Sequence, residues 1–412
     1  MPLIRKGRAL VLMLLLMIGT VLPGWVFPSF GLSQRVHGSE PEAQVQIRHL
    51  IEEKQNAVNQ RERERFLRLL HPDMKTYIQE QKRWFDDAVQ WIDPGSYRLR
   101  VISMIPWAEH QIRVWMEQCY TRKGKRFTLK YPVLFQETAA GWRDADFPLH
   151  HLTRGDVTVR YSDTGLAEQA AIALETGHKA IQELKRKMGW MPKRPVEVKI
   201  YHRPEWFRQS VKLSLPRWAG GWHEAGESIK LIGARGVEDR QLVSSGIVHE
   251  VTHLMVSEMT GDNAAYWLQE GAAEYFQSHL LPGLHSREET SGERPRWSLS
   301  QLKKANLEQM GEKEAAAYYT QCYQLFRFLM ETYGEEKVKR LFSVLQLSPE
   351  EDRDIVGKLS LTNRRTEAAL KKVLGKSLKE LEKDWLQHLK KEKRKDSPHP
   401  PDQKMDPFTW SF

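Results

Sequence analysis

The densest chemistry in the chain lies in the run His249-Glu250-Val251-Thr252-His253. Residues four apart on an α-helix share one face, about one turn from each other. Two imidazoles placed in this way can reach a single metal ion. Seventeen residues beyond His253 stands Glu270, a carboxylate able to complete a set of three ligands. Two neutral histidine nitrogens and a carboxylate suit Zn²⁺. Three protein ligands leave a fourth position for water, which separates a catalytic zinc from a structural one. Glu250 follows the first histidine, so it sits beside the metal without binding it. There it can take a proton from a metal-bound water and later hand it to a leaving amine.

The elements needed to position these groups are legible around them. Residues 240–259 carry Leu242, Val243, Ile247, Val251, Leu254 and Met255 at helical spacing, with Asp239 as an N-cap and Gly261 as a stop. A second helix is expected over 264–280. On it Glu270 and Glu274 are four apart, among Tyr266, Trp267, Ala272, Ala273, Tyr275 and Phe276, a composition that suits a buried helix. Glu270 is the third ligand of this reading. Glu274 is placed to accept the free N–H of a ligand histidine and fix its tautomer. The competing reading is a surface helix with two solvated histidines and an acidic neighbour.

The pattern H-E-x-x-H followed by E-G-x-x-E resembles the gluzincin metallopeptidases, the group of thermolysin and the zinc aminopeptidases. It is most similar to the bacterial peptidase MA-like branch. The residues that carry the resemblance are Trp267-Leu268-Gln269-Glu270-Gly271-Ala272-Ala273-Glu274-Tyr275, then Ala317-Tyr318-Tyr319 through Tyr333-Gly334-Glu335-Glu336-Lys337. It spans about residues 155–390. The resemblance implies a zincin-like fold and a zinc-dependent peptidase. It also implies a tyrosine donating to the oxyanion of a tetrahedral intermediate, with Tyr319 preferred to Tyr318. In such folds a strand before the zinc helix forms the cleft edge, which places the substrate backbone along Ile229, Lys230, Leu231 and Ile232. The G-x-M-E-N strand of the zinc aminopeptidases is missing, which argues against that activity. The spacing from His253 to Glu270 is slightly shorter than in the large gluzincins.

With 412 residues, 40% hydrophobic and 28% charged, the chain can bury sizeable cores in two or three domains. The net charge is +10, partly concentrated in Lys390-Lys391-Glu392-Lys393-Arg394-Lys395. There is no nucleic-acid motif, and a solvated helix end with a tail accounts for the basic run. Cys119 and Cys322 are the only cysteines, so zinc ribbons and redox dithiols are excluded. They fall in different expected domains and read as free thiols.

The N-terminus has basic residues up to Arg8, an apolar run from Ala9 to Leu22, and no charge until Arg35. This is the layout of a signal peptide or an uncleaved signal anchor over residues 1–31. Either one puts the rest of the chain outside the cytoplasm, as a single-pass membrane protein or, if the signal is cleaved, a secreted one. Residues 42–152 read as an α+β domain. Helices over 42–70 and 77–91 precede alternating segments at 97–101, 111–116, 127–135 and 138–143, which suggest an antiparallel meander. The order resembles nuclear-transport-factor-like or cystatin-like cones, and no constellation in it carries chemistry. His150-His151 reads as surface.

The metallopeptidase-like domain is expected over 155–390, with strands at 157–161, 196–201 and 228–232 and a helical C-terminal part. Gly220-Gly221, with Trp218 and Trp222, reads as a gate over the cleft or as an ordinary hairpin turn. Residues 391–412 read as a basic disordered tail.

The fold class is therefore α+β. The function is hydrolysis of a peptide or protein substrate by one zinc per chain. Two rivals remain open: a silent zincin-fold binding module at the cell surface, and a zinc hydrolase of a non-peptide envelope amide or ester.

Overall fold

The computed structural model describes residues 41–233, 238–281, 295–347 and 355–395. The expected signal or anchor, and the tail beyond 395, lie outside the described residues. Among the described residues no helix is long and apolar enough to cross a membrane.

The described chain begins with α1 (Glu42–Gln60), α2 (Arg63–Leu67) and α3 (Lys75–Trp91). A meander follows, β1 (Arg98–Ala108), β2 (Gln111–Arg122), β3 (Lys125–Thr138) and β4 (Gly141–Asp144), antiparallel throughout and in that spatial order. Period-two patterning explains it. Val114, Met116, Gln118 and Tyr120 alternate to the buried face of β2. Helix α3 buries Tyr77, Glu80, Gln81, Trp84, Phe85 and Ala88 along one face.

The next elements are β5 (His150–Arg154), β6 (Val157–Tyr161), α4 (Ala167–Met188), β7 (Val196–Tyr201), α5 (Pro204–Val211), β8 (Gly221–Trp222) and β9 (Ile229–Ile232). They form a five-stranded sheet in the order β5-β6-β7-β9-β8. The inner pairs β6–β7 and β7–β9 are parallel, and the outer strands β5 and β8 are antiparallel to their neighbours. His150 and His151 thus lie in β5, which straddles the expected domain end at residue 152 and pairs within the second sheet.

Helices complete the chain: α6 (Glu238–Thr260), α7 (Tyr266–His279), α8 (Leu299–Leu302), α9 (Glu312–Tyr333), α10 (Glu335–Gln346), α11 (Ile355–Leu374) and α12 (Leu378–Lys395). Ser377 and Glu380 exchange capping-box hydrogen bonds at the start of α12. This helix continues to Lys395, so the first residues of the expected tail are helical. Lysine, arginine and glutamate are all good helix formers, and the run contains no breaker.

Helix α6 packs against α4, α7, α10 and the sheet, and buries Val243, Ile247, Val248, Val251, Leu254, Met255 and Val256. A residue pair on this helix is therefore held by a core on several sides. The first sheet and the second half share a further core, in which Val114, Met116 and Phe135 meet Tyr201, Trp206 and Phe207.

A buried polar knot joins α3 to the second sheet. Lys199 Nζ donates to Glu80 Oε2 and to Asp146 Oδ2, each at 2.7 Å, and Lys230 Nζ donates to the Ser210 carbonyl at 2.5 Å. Each buried charge has an opposite partner, as burial demands.

Candidate functional site

The four-residue spacing on α6 puts His249 and His253 on one face, and α7 crosses beside them. The two Nε2 atoms are 3.1 Å apart. Glu270 Oε2 lies 3.6 Å from His249 Nε2 and 3.3 Å from His253 Nε2. Gly271 explains why α7 can deliver Glu270. A Cβ there would sit 2.5 Å from the Cys322 carbonyl oxygen and 2.9 Å from Phe326 Cβ, so only glycine lets α7 and α9 pack this closely.

The donor set fits a metal ion. Two imidazole lone pairs and a carboxylate oxygen this close repel one another unless a cation lies among them. His249 Nδ1–H donates to Gln277 Oε1 at 2.9 Å, which leaves Nε2 as the lone-pair atom facing the group. Burial works against charge on His249, but Glu270, Glu250 and Glu274 outweigh it and push the imidazole up to about 9. Burial would raise Glu270, and the two histidines hold it down at about 2. Among the described residues, Glu331, His388 and Glu392 form a second possible group, but Arg327 already donates to both of its carboxylates.

The histidine partner differs from the expected one. Glu274 Oε1 stands 3.6 Å from His249 Nδ1, beyond hydrogen-bond distance, and Gln277 takes that position. Gln277 is seven residues from Glu270 and three from Glu274, on the same helical stripe, which is the signal that could have found it.

Glu250 is buried beside the ligands, and its Oε2 has no hydrogen-bond partner. Burial raises its carboxyl above the usual range, and His249 and His253 oppose that. The β8 backbone lies directly on this carboxylate, since a Cβ on Gly221 would be 2.2 Å from Glu250 Oε1.

Tyr318 and Tyr319 separate clearly. Tyr318 is 1% exposed and packs edge-on to Trp297. Tyr319 lines the cleft, edge-on to His249 at 6.2 Å and to Trp218 at 6.4 Å. Burial and then the charges of Glu270 and Glu250 hold its phenol well above the ordinary value, so it is a proton-bearing donor.

The expected substrate edge needs correction. β9 is not the free edge of its sheet, because β8 pairs with it through Gly221–Leu231 and Trp222–Lys230, and Ile232 N–H donates to the Gly220 carbonyl at 2.9 Å. Ile229 is 1% exposed, and Lys230 is turned into the buried polar knot. Leu231 and Ile232 border the cleft. A two-residue strand beside a glycine pair has no period of its own, so β8 was invisible in the sequence.

The expected gate is also pinned. Trp218 Nε1 donates to the Met310 carbonyl at 2.9 Å, and Trp222 lies between the Arg83 and Lys212 cations.

One wall of the cleft comes from α3, which presents Gln79, Lys82, Arg83, Asp86 and Gln90. The loop after β8 adds His223 and Glu224. Burial, then the nearby His253, pushes the His223 imidazole down to about 3. Nothing in the local sequence distinguished these residues.

No curated protein matches the chain. Among solved structures it is similar to yeast LTA4 hydrolase in complex with bestatin, at 15% identity and TM-score 0.34, over 68% of this chain and 43% of that one. It is likewise similar to native yeast LTA4 hydrolase, at 14% identity and TM-score 0.33, over 68% and 45%. The chain thus spans less than half the length of these structures. The sequence profile of the Peptidase MA superfamily matches residues 176–391, which contain all three candidate ligands and Glu250. With more than half of its length matched, the chain belongs to the Peptidase MA superfamily.

Proposed function

We propose that the chain hydrolyses peptide bonds, with His249, His253 and Glu270 holding one zinc ion and Glu250 acting as the general base. The observation that carries this reading is the meeting of those three donors beside a buried, unpartnered carboxylate oxygen of Glu250. Bound there, zinc would act as a Lewis acid toward a carbonyl and make water a stronger acid. The remaining steps belong to the protein. Glu250 takes the proton of the attacking water on a carboxylate oxygen and delivers it to the leaving amine. Tyr319 O–H donates to the oxygen of the attacked carbonyl as negative charge develops there. Gln277 holds the His249 ring in its tautomer.

The outer strand of the sheet, Gly221–Trp222, replaces β9 as the edge along which an extended peptide pairs. The N-terminal sequence pattern supports an extracytoplasmic setting, either anchored or secreted. Glu250→Gln tests the assignment. It preserves shape and removes the base, so the variant should stay folded while peptide cleavage falls by about 10²–10⁴-fold. Cleavage at the wild-type rate by this variant would refute the role of Glu250.

A further inference from the structure

Native proteins leave few buried polar atoms without a hydrogen bond, and those that remain call for a ligand or a role. Among the described residues nine such side-chain atoms occur, and four of them belong to residues that line this one cleft: Trp222 Nε1, His223 Nε2, Glu250 Oε2 and Glu270 Oε2. The two carboxylate oxygens are accounted for by the metal and the attacking water. Trp222 Nε1–H and the His223 ring nitrogen Nε2 remain. The Arg83 and Lys212 cations already stand over the Trp222 ring, 5.2 and 4.7 Å from its centroid. Gly221 faces Glu250, and His223, two residues further on, lines the same cleft as His253.

The segment carrying His223 is also fixed in place. Arg83 of α3 donates to Glu224 at 3.0 Å and to Glu227 at 2.8 Å. Lys358 of α11 donates to the other Glu224 oxygen at 2.9 Å. Arg194 holds the Gly226 and Glu227 carbonyls at 2.9 and 2.7 Å. Three separate parts of the chain thus hold a short loop whose one inward imidazole has no partner. A group held this rigidly loses little freedom on binding.

We infer that His223 is a substrate-contacting residue, donating its Nε2–H to a carbonyl oxygen of the peptide bound beside β8. It is not one of the metal ligands, whose compact group is His249, His253 and Glu270. A peptide offers an acceptor of the right kind, and binding satisfies a donor that is otherwise buried and unpaired. The inference rests on the peptidase reading above.

The test uses the full chain loaded with zinc, as wild type, His223→Phe and His223→Gln. The probe is a phosphinic pseudotetrapeptide of alanines, which cannot be cleaved. Three quantities are read: zinc per chain, calorimetric affinity for the probe, and KM against kcat on a cleaved peptide. His223→Phe keeps a ring but has no donor, so probe affinity should fall about tenfold and KM rise in step, with zinc content and unfolding midpoint unchanged. His223→Gln, which restores an N–H, should recover most of the loss.

Equal probe affinity in wild type and His223→Phe overturns the inference. So does a parallel loss of zinc or stability in both variants with no recovery by glutamine. Zinc-loaded wild type that neither binds the probe nor cleaves peptides refutes the peptidase reading itself, and this inference falls with it.

Discussion

Gly221→Ala gives a sharp geometric test of how Glu250, the proposed general base, is held. The added Cβ would arrive 2.2 Å from Glu250 Oε1, 3.0 Å from its carboxyl carbon and 3.1 Å from Leu231 Cδ2. An ordinary carbon–oxygen contact is about 3.3 Å, so the carboxylate must retreat by about 1 Å. The peptide at Gly221 cannot give instead, because β8 is hydrogen-bonded to β9. A displacement of about 1 Å in a reacting group costs roughly 10²-fold in rate, or about 2.7 kcal/mol of barrier. Gly220 is the matched control, with nothing within 4 Å of its added Cβ. The assay is steady-state peptide hydrolysis with zinc content measured on the same samples. Gly221→Ala should lose about 10²-fold in kcat at full zinc occupancy, and Gly220→Ala should stay within a few-fold of wild type. Wild-type kcat in Gly221→Ala would mean that Glu250 moves aside freely and that β8 does not set its position.

Two further outcomes concern the scaffold. Gly271→Ala forces a Cβ to 2.5 Å from the Cys322 carbonyl oxygen, so α7 must separate from α9. Denaturant unfolding should show a loss of about 1–3 kcal/mol, and an unchanged midpoint would contradict the close-packing account. The polar knot predicts an acid limb in stability. Burial opposes charge on Glu80, but Lys199 and Lys230 overcome it and hold the carboxyl at about 2, against 4.5 ordinarily. A lowered carboxyl stabilises the fold above its unfolded value and loses that contribution as pH falls from about 4.5 toward 2. Asp146 is raised by burial, so its contribution runs the other way and is lost as pH rises through its folded value. Unfolding midpoints at pH 5.5, 4.5 and 3.5 should fall less steeply in Glu80→Gln than in wild type, and parallel curves would rule out the linkage.

The legible parts of the molecule were those written in short-range periodicity. α6 announces itself because its apolar residues recur at helical spacing, and His249 and His253 then follow from geometry alone. Glu270 was readable because α7 is patterned around it. β6 and β7 were readable because apolar residues alternate along each, at Val157, Val159 and Tyr161 and at Val196, Val198 and Ile200. What escaped depends on distant parts of the chain. Whether β9 is an edge depends on β8, which is two residues long and becomes a strand only by pairing. Glu274 and Gln277 share a stripe on α7, and the choice between them is made only where α7 packs against α6 and meets His249. His223 looks like any loop histidine until Arg83, Arg194 and Lys358, from three remote stretches, are seen to hold its segment. Arg83 belongs to the N-terminal helices, where the sequence shows no chemistry, yet it lines the cleft.

In the proposed mechanism His249, His253 and Glu270 hold a zinc ion that Glu250 serves without binding. Elemental analysis of wild type, Glu250→Gln and His253→Ala, with each sample assayed on an unbiased peptide mixture, tests it most directly. The account predicts about one zinc per chain in wild type and in Glu250→Gln, cleavage only in wild type, and neither zinc nor cleavage in His253→Ala. Full zinc occupancy in His253→Ala, or loss of zinc in Glu250→Gln, would contradict it.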